Sequence, residues 1–172
     1  MRLKRCGLKN FYIISGLVFC ATFLFECQSK ASANKIFGNT TYFTGCPYIA
    51  EKVKLANGQN VAWNFRLHVS MYYEGHYIYG DFNHDGLKDA AVIIGESQGG
   101  SDNEISLAFL IYEGIQFVHK KSMYLGNSVI VNSLKERNGK VIVDLFVHKK
   151  DDCNARPTRR VQNIYEYAGS DT

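Results

Sequence analysis

A chain of 172 residues with 46% hydrophobic side chains suits one domain built on one core. Its formal net charge of +4 belongs to the first segment: residues 1–33 hold five of the 20 Lys and Arg (Arg2, Lys4, Arg5, Lys9, Lys30) and one of the 16 Asp and Glu (Glu26), which leaves 15 of each sign in 34–172. A neutral body has no electrostatic footprint for a phosphate backbone, so nucleic acid is excluded as an expected partner.

The chain starts with a basic stretch, MRLKRCGLK, and runs into an apolar one, residues 11–25, interrupted only by Ser15, Gly16 and Thr22. These have the form of the n-region and h-region of a signal peptide. Ala31-Ser32-Ala33 then offers the small-x-small pattern that signal peptidase requires, and the cut is expected after Ala33. At about 15 residues the apolar run falls short of the ~20 that span a bilayer, and a retained anchor is the alternative reading. Lipid attachment is disfavoured, because Cys20 follows Phe19 and Cys27 follows Glu26, where such signals want a small residue. The expected product is a periplasmic or secreted domain, 34–172, without membrane contact after cleavage. Cys6, Cys20 and Cys27 leave with the signal; Cys46 and Cys153 remain, and an even pair in an exported chain reads as a disulfide. Closing a loop of ~100 residues contributes up to ~4.7 kcal/mol in the chain-entropy picture. Two unpaired buried thiols are the alternative.

Beyond the signal the apolar segments are short and rich in β-formers: 61–79, 90–94, 105–112, 116–124, 129–134, 141–147 and 161–167. Turn clusters separate them, among them Gln98-Gly99-Gly100-Ser101-Asp102-Asn103, Glu113-Gly114, Gly126-Asn127 and Arg137-Asn138-Gly139. This spacing predicts a mainly β, single-domain antiparallel meander or sandwich. Asn138-Gly139 is the clearest hairpin signal, since a type I′ turn needs positive φ at both central residues. Residues 34–58 show no settled period, and 48–55 reads as one short helix near the mature N-terminus or as a strand. The aromatic residues fall mostly on the strands, where they serve sheet packing or a carbohydrate or peptide platform.

Between the first two strand segments lies Gly80-Asp81-Phe82-Asn83-His84-Asp85-Gly86-Leu87-Lys88-Asp89, a Ca²⁺-type loop at 81–89. Ca²⁺ takes six to eight oxygens, and a tight loop with alternate residues facing inward supplies them from few positions. Asp81, Asn83 and Asp85 are the expected side-chain ligands, with the Leu87 carbonyl fourth, Asp89 fifth and water completing the shell. Gly86 permits the reversal. An EF-hand would need Glu at the twelfth loop position, where this chain has Val92, so a strand and not a helix is expected to follow. Asp, Asn and Gly also favour turns for backbone reasons alone, which leaves an Asx-rich turn without metal as the other reading.

The segment GDFNHDGLKDAAVII resembles the calcium loop of FG-GAP and VCBS-type repeats, in which such a loop leads into a strand. It is also similar to a group of small exported bacterial proteins of uncharacterised function. Their pattern continues through a Gly-Gly-Ser turn, a Leu-Gly-Asp-Arg turn, a Gly-rich hairpin and a late Cys-Cys-Pro. The counterparts here are Gly99-Gly100-Ser101, Leu125-Gly126-Asn127-Ser128, Asn138-Gly139-Lys140 and Cys153, so that the likeness covers about 80–167 and departs at Asn127-Ser128 and at the single Cys153. The resemblance implies a calcium loop and brings no activity with it.

Catalytic patterns are weak. Gly95-Glu96-Ser97-Gln98-Gly99 matches the Gly-x-Ser-x-Gly elbow, which needs a helix next, whereas Ile105 onward reads as strand. Residues 34–172 are also too few for a typical α/β-hydrolase. His68, His76, His84, His119 and His148 show no paired zinc spacing, and His84 is expected to point away from the loop's ligands. Asp151-Asp152 reads as a solvated turn or a second ion site, and Lys149-Lys150 with Arg159-Arg160 as an exposed basic face. The reading reached from sequence is an exported β domain that binds one structural Ca²⁺ and a protein or glycan partner, and that has no catalytic residues. A periplasmic inhibitor of a hydrolase such as lysozyme, and a small serine hydrolase acting through Ser97, are its rivals.

Overall fold

The computed structural model describes residues 32–43, 52–64, 67–97, 102–153 and 156–169. A short helix, α1, covers 32–37. Ten strands follow: β1 (Thr41–Phe43), β2 (Lys52–Lys54), β3 (Gln59–Asn64), β4 (Leu67–Gly80), β5 (Asp89–Ser97), β6 (Asn103–Tyr112), β7 (Phe117–Asn127), β8 (Ile130–Arg137), β9 (Lys140–Val147) and β10 (Arg159–Glu166). All pairings among the described residues are antiparallel. The chain is thus mainly β, as its pattern predicts. The single segment expected over 61–79 is two strands, β3 and β4, whose register closes on Asn64 opposite Leu67.

The strands form a five-stranded sheet in the order β3-β4-β5-β6-β7, a three-stranded sheet β10-β9-β8, and the pair β1-β2. Alternation along β5 and β6 explains how these layers stack. On β5, Ala91 and Ile93 join Leu107, Phe109 and Ile111 of β6 in a core shared with Val131, Val141, Val143 and Leu145 of the smaller sheet. The alternate residues, Ala90, Val92 and Ile94 with Ala108 and Leu110, face the other way, against Ala33, Phe37, Tyr42 and Leu55. Eight of the nine residues of β5 are therefore buried, and its apolar run is continuous because both of its faces are covered.

Turn chemistry sets the hairpins. Asn138 (φ 53°) and Gly139 (φ 74°) connect Arg137 to its partner Lys140, the two-residue turn expected from the sequence. The same turn recurs at Asn57 (φ 53°) and Gly58 (φ 89°), between the bridged residues Ala56 and Gln59. That signal lies in the stretch where sequence period was uninformative. It docks α1 on the sheet: Gly58 N–H donates to the Gly38 carbonyl at 2.8 Å and the Gly58 carbonyl accepts from Tyr73 N–H at 2.8 Å.

The outer face of the large sheet is closed by one aromatic plug. Phe37, fully buried, lies within 5.4 to 6.0 Å, centroid to centroid, of Tyr73, Tyr77, Tyr79 and Phe117. Tyr42, also fully buried, donates its hydroxyl proton to the Phe37 carbonyl at 2.8 Å. The aromatics expected on strands do pack on the sheet here. Ala33, the last residue of the expected signal segment, sits in α1 and is buried in this second core.

Candidate functional site

The loop between β4 and β5 is closed at its base by the pair Gly80 and Asp89. Inside it, His84 (φ 62°) and Gly86 (φ 83°) both take the left-handed conformation, which is costly for His. Side-chain oxygens hold the backbone in that shape. Asp81 Oδ1 accepts from Asp85 N–H at 3.1 Å and Asp81 Oδ2 from Gly86 N–H at 3.0 Å. Asn83 Oδ1 accepts from Asp85 N–H at 3.1 Å, and Asp85 Oδ1 from Leu87 N–H at 2.7 Å. Asn83 Nδ2 donates to Asp85 Oδ2 at 2.8 Å. Loop positions one, three and five are therefore gathered round the amides of 85–87, with Asp85 and Leu87 at the solvent side.

Asp89 is placed differently. Its carboxylate is fully buried, and it accepts three backbone N–H groups: Phe82 at 2.9 Å and Asn83 at 3.3 Å on Oδ2, Tyr112 at 2.9 Å on Oδ1. Three charge-assisted bonds offset the desolvation of that carboxylate, and they tie the loop's start to the end of β6. Among the described residues no group of three His, Cys, Asp or Glu side chains is arranged to hold a metal ion. The donor set that remains, Asp81, Asn83, Asp85 and the Leu87 carbonyl, fits a hard cation with water completing the shell, since each oxygen that accepts one N–H keeps a second lone pair. Asp89, expected as the fifth ligand, anchors the base of the loop through these three amides.

The loop rests on the β8–β9 hairpin. A methyl group at Gly139 would collide with the His84 ring and approach the Asp81 carbonyl oxygen at 3.1 Å, so this glycine is required twice, by its positive φ and by its neighbour. Glu136 Oε1 accepts from Gly139 N–H at 2.9 Å and completes the tip.

The serine motif is part of a strand. Gly95, Glu96 and Ser97 end β5, where Ser97 is opposite Asn103 of β6; Gln98 and Gly99 lie outside the described residues. An antiparallel strand follows where an elbow needs a helix. Gly95 has a separate explanation: it is paired with Tyr72, whose ring occupies the space a side chain would take.

A Ser–His pair that sequence reading did not anticipate lies on β7. His119 Nε2 and Ser122 Oγ are 2.9 Å apart. Residues three apart on a regular strand face opposite sides, but the register slips between Phe109 and Leu110, whose partners are Lys121 and His119, and this bulge brings the two side chains to one face. Phe43 N–H donates to His119 Nδ1 at 3.2 Å, and Ser122 Oγ donates to the Phe43 carbonyl at 3.2 Å. With Nδ1 accepting, the neutral ring carries its proton on Nε2 and donates to Ser122. A base would need the opposite tautomer. The pair is a clamp that fastens β1 to β7, and burial pushes the His119 pKa down to about 4.

The other sequence candidates have structural roles. Asp152 accepts from Lys149 N–H at 2.8 Å and from Thr158 N–H at 2.8 Å, which holds its carboxyl below the usual range and pins the turn before β10. His148 Nε2 lies 3.1 Å from the Ser128 carbonyl. His84 is exposed, against the hairpin tip. Cys153 is exposed and carries a free thiol, so the expected staple is not made in this structure; Cys46 lies outside the described residues. The signal segment up to Ala31 also lies outside them. In comparison with known proteins, the chain matches no protein family, no curated protein and no solved structure.

Proposed function

We propose that the chain is an exported β domain that acts by binding, and that loop 81–89 carries one structural Ca²⁺ on Asp81, Asn83, Asp85 and the Leu87 carbonyl. The observation that supports the ion is the convergence of three side chains on the amides of 85–87, with positive φ at the fourth and sixth loop positions. In this reading the cation neutralises Asp81 and Asp85 and stiffens the entry to β5, while Asp89 holds the loop's base with or without it. The resemblance of GDFNHDGLKD to FG-GAP and VCBS-type loops points the same way. Export rests on the basic and apolar leader, and an oxidising exterior would favour a bond between Cys46 and Cys153.

Calcium titration of the purified domain, with a thermal melt in Ca²⁺ and in EDTA, tests the ion. We expect chelation to lower Tm and Asp85→Ala to abolish that response. Asp89→Asn is expected to destabilise the domain by about 2–3 kcal/mol, with the same fall in Tm in both buffers, because it disturbs an anchor and not a ligand. A melt that ignores EDTA, with no heat of Ca²⁺ binding, would overturn the assignment.

A further inference from the structure

Beside the clamp, a cleft of about 680 Å³ opens between β1-β2, α1 and the turn joining β6 to β7. Among the described residues three lysines line it, Lys35, Lys52 and Lys54, and no carboxylate does. The ion pairs among the described residues, Lys120 with Glu113, Lys140 with Glu166 and Arg160 with Asp144, involve none of these three. Among the described residues the same cleft takes three of the seven exposed large hydrophobic side chains, Ile36, Phe43 and Ile115, the last 92% exposed. Lys52 Nζ stands 5.2 Å from the centre of the Phe43 ring, so cationic and apolar surface are interleaved.

We infer that this cleft is a docking site for an acidic, partly apolar peptide segment of a partner protein. The inference rests on the binding part of the proposed function and is independent of the calcium loop. Unpaired cations seek carboxylates, and the apolar walls take the side chains between them. A bilayer is flat and does not follow a concave surface. Among the described lining residues the charged side chains are all cationic, which favours a carboxylate-bearing peptide over a neutral glycan.

The test is fluorescence anisotropy of a labelled peptide of alternating Glu and Leu against the purified domain, with a Lys-Leu peptide, dextran sulfate and anionic phosphatidylglycerol vesicles as comparisons. We expect the Glu-Leu peptide to bind. Lys52→Glu with Lys54→Glu should weaken it about tenfold, while Lys149→Glu with Lys150→Glu, the same charge change elsewhere, should alter it less than about twofold. All four lysines are exposed, and unchanged melts would show that both variants fold. Both variants should keep the Ca²⁺ response of the parent, which separates failure of this site from failure of the loop. The proposal is overturned by equal weakening in the two variants, by absence of peptide binding up to about 1 mM, or by cleft-dependent binding of dextran sulfate or vesicles without the peptide.

Discussion

The two faces of the five-stranded sheet are closed by different means. On the inner face, β8 and β9 supply Val131, Val141, Val143 and Leu145, and Val161 and Tyr165 of β10 pack against them, so that many modest side chains share one core. On the outer face a short segment reaches over from the N-terminal side, and one ring, Phe37, fills a cup of four other aromatics. Strand β5 contributes alternate residues to both. A core shared by two sheets passes the loss of any one contact to the whole fold, whereas a plugged core has a single point of local release. The outer layer should thus open before the sheet itself.

Core truncation is the largest way to break this contrast. Phe109→Ala and Phe37→Ala should each cost about 3–5 kcal/mol, with different consequences. The first should lower global stability, since Phe109 sits against Phe82 and Tyr167 between the two sheets. The second should raise amide exchange in β1 and β2 while β8 to β10 stay protected. Equal exchange in both layers would contradict the division.

Acid should separate the faces next. His119 is neutral in the fold, with its pKa lowered from 6.5 to about 4, so its contribution is intact above pH 6.5 and is lost as pH falls towards 4. The full effect is about 3 kcal/mol. Protonation places a second donor opposite Phe43 N–H. On the inner side Asp144 is held near pKa 2, first by Arg160 and then by Asn132, so that its pairing persists until pH falls from 3.8 towards 2. A pH series of exchange measurements should therefore show β1 and β2 loosening well before β9 and β10, and His119→Gln should remove the upper step.

Gly139→Ala sharpens the inner half with a smaller effect. Positive φ alone costs about 1–2 kcal/mol for a residue with a side chain. Gly114→Ala carries that backbone cost by itself, because nothing lies within 4 Å of the added methyl. The excess loss at Gly139, read from paired melts, measures how firmly the loop is seated on the hairpin tip.

The strands from β5 to β10 were legible in the sequence because their period, Gly-bearing turns and Asn138-Gly139 are short-range signals, set within a few residues by side-chain alternation and φ. The loop was legible as chemistry for the same reason: its residue types and spacing lie in nine consecutive positions. Asn57-Gly58 is an equally local signal, but the strand before it, β2, is only three residues long and too short to establish a period.

Other features have no local cause. Asp89 has a ligand's spacing and an anchor's environment, because Tyr112 N–H, 23 residues on, meets it in the interior. His119 and Ser122 share a face only through a bulge imposed by pairing with β6. Phe37 is a plug only because four rings from β4 and β7 converge around it. Short-range sterics and alternation determine which segments are strands. Which polar groups meet, and which cations are left facing an open cleft, depends on contacts between distant parts of the chain that only the folded packing brings about.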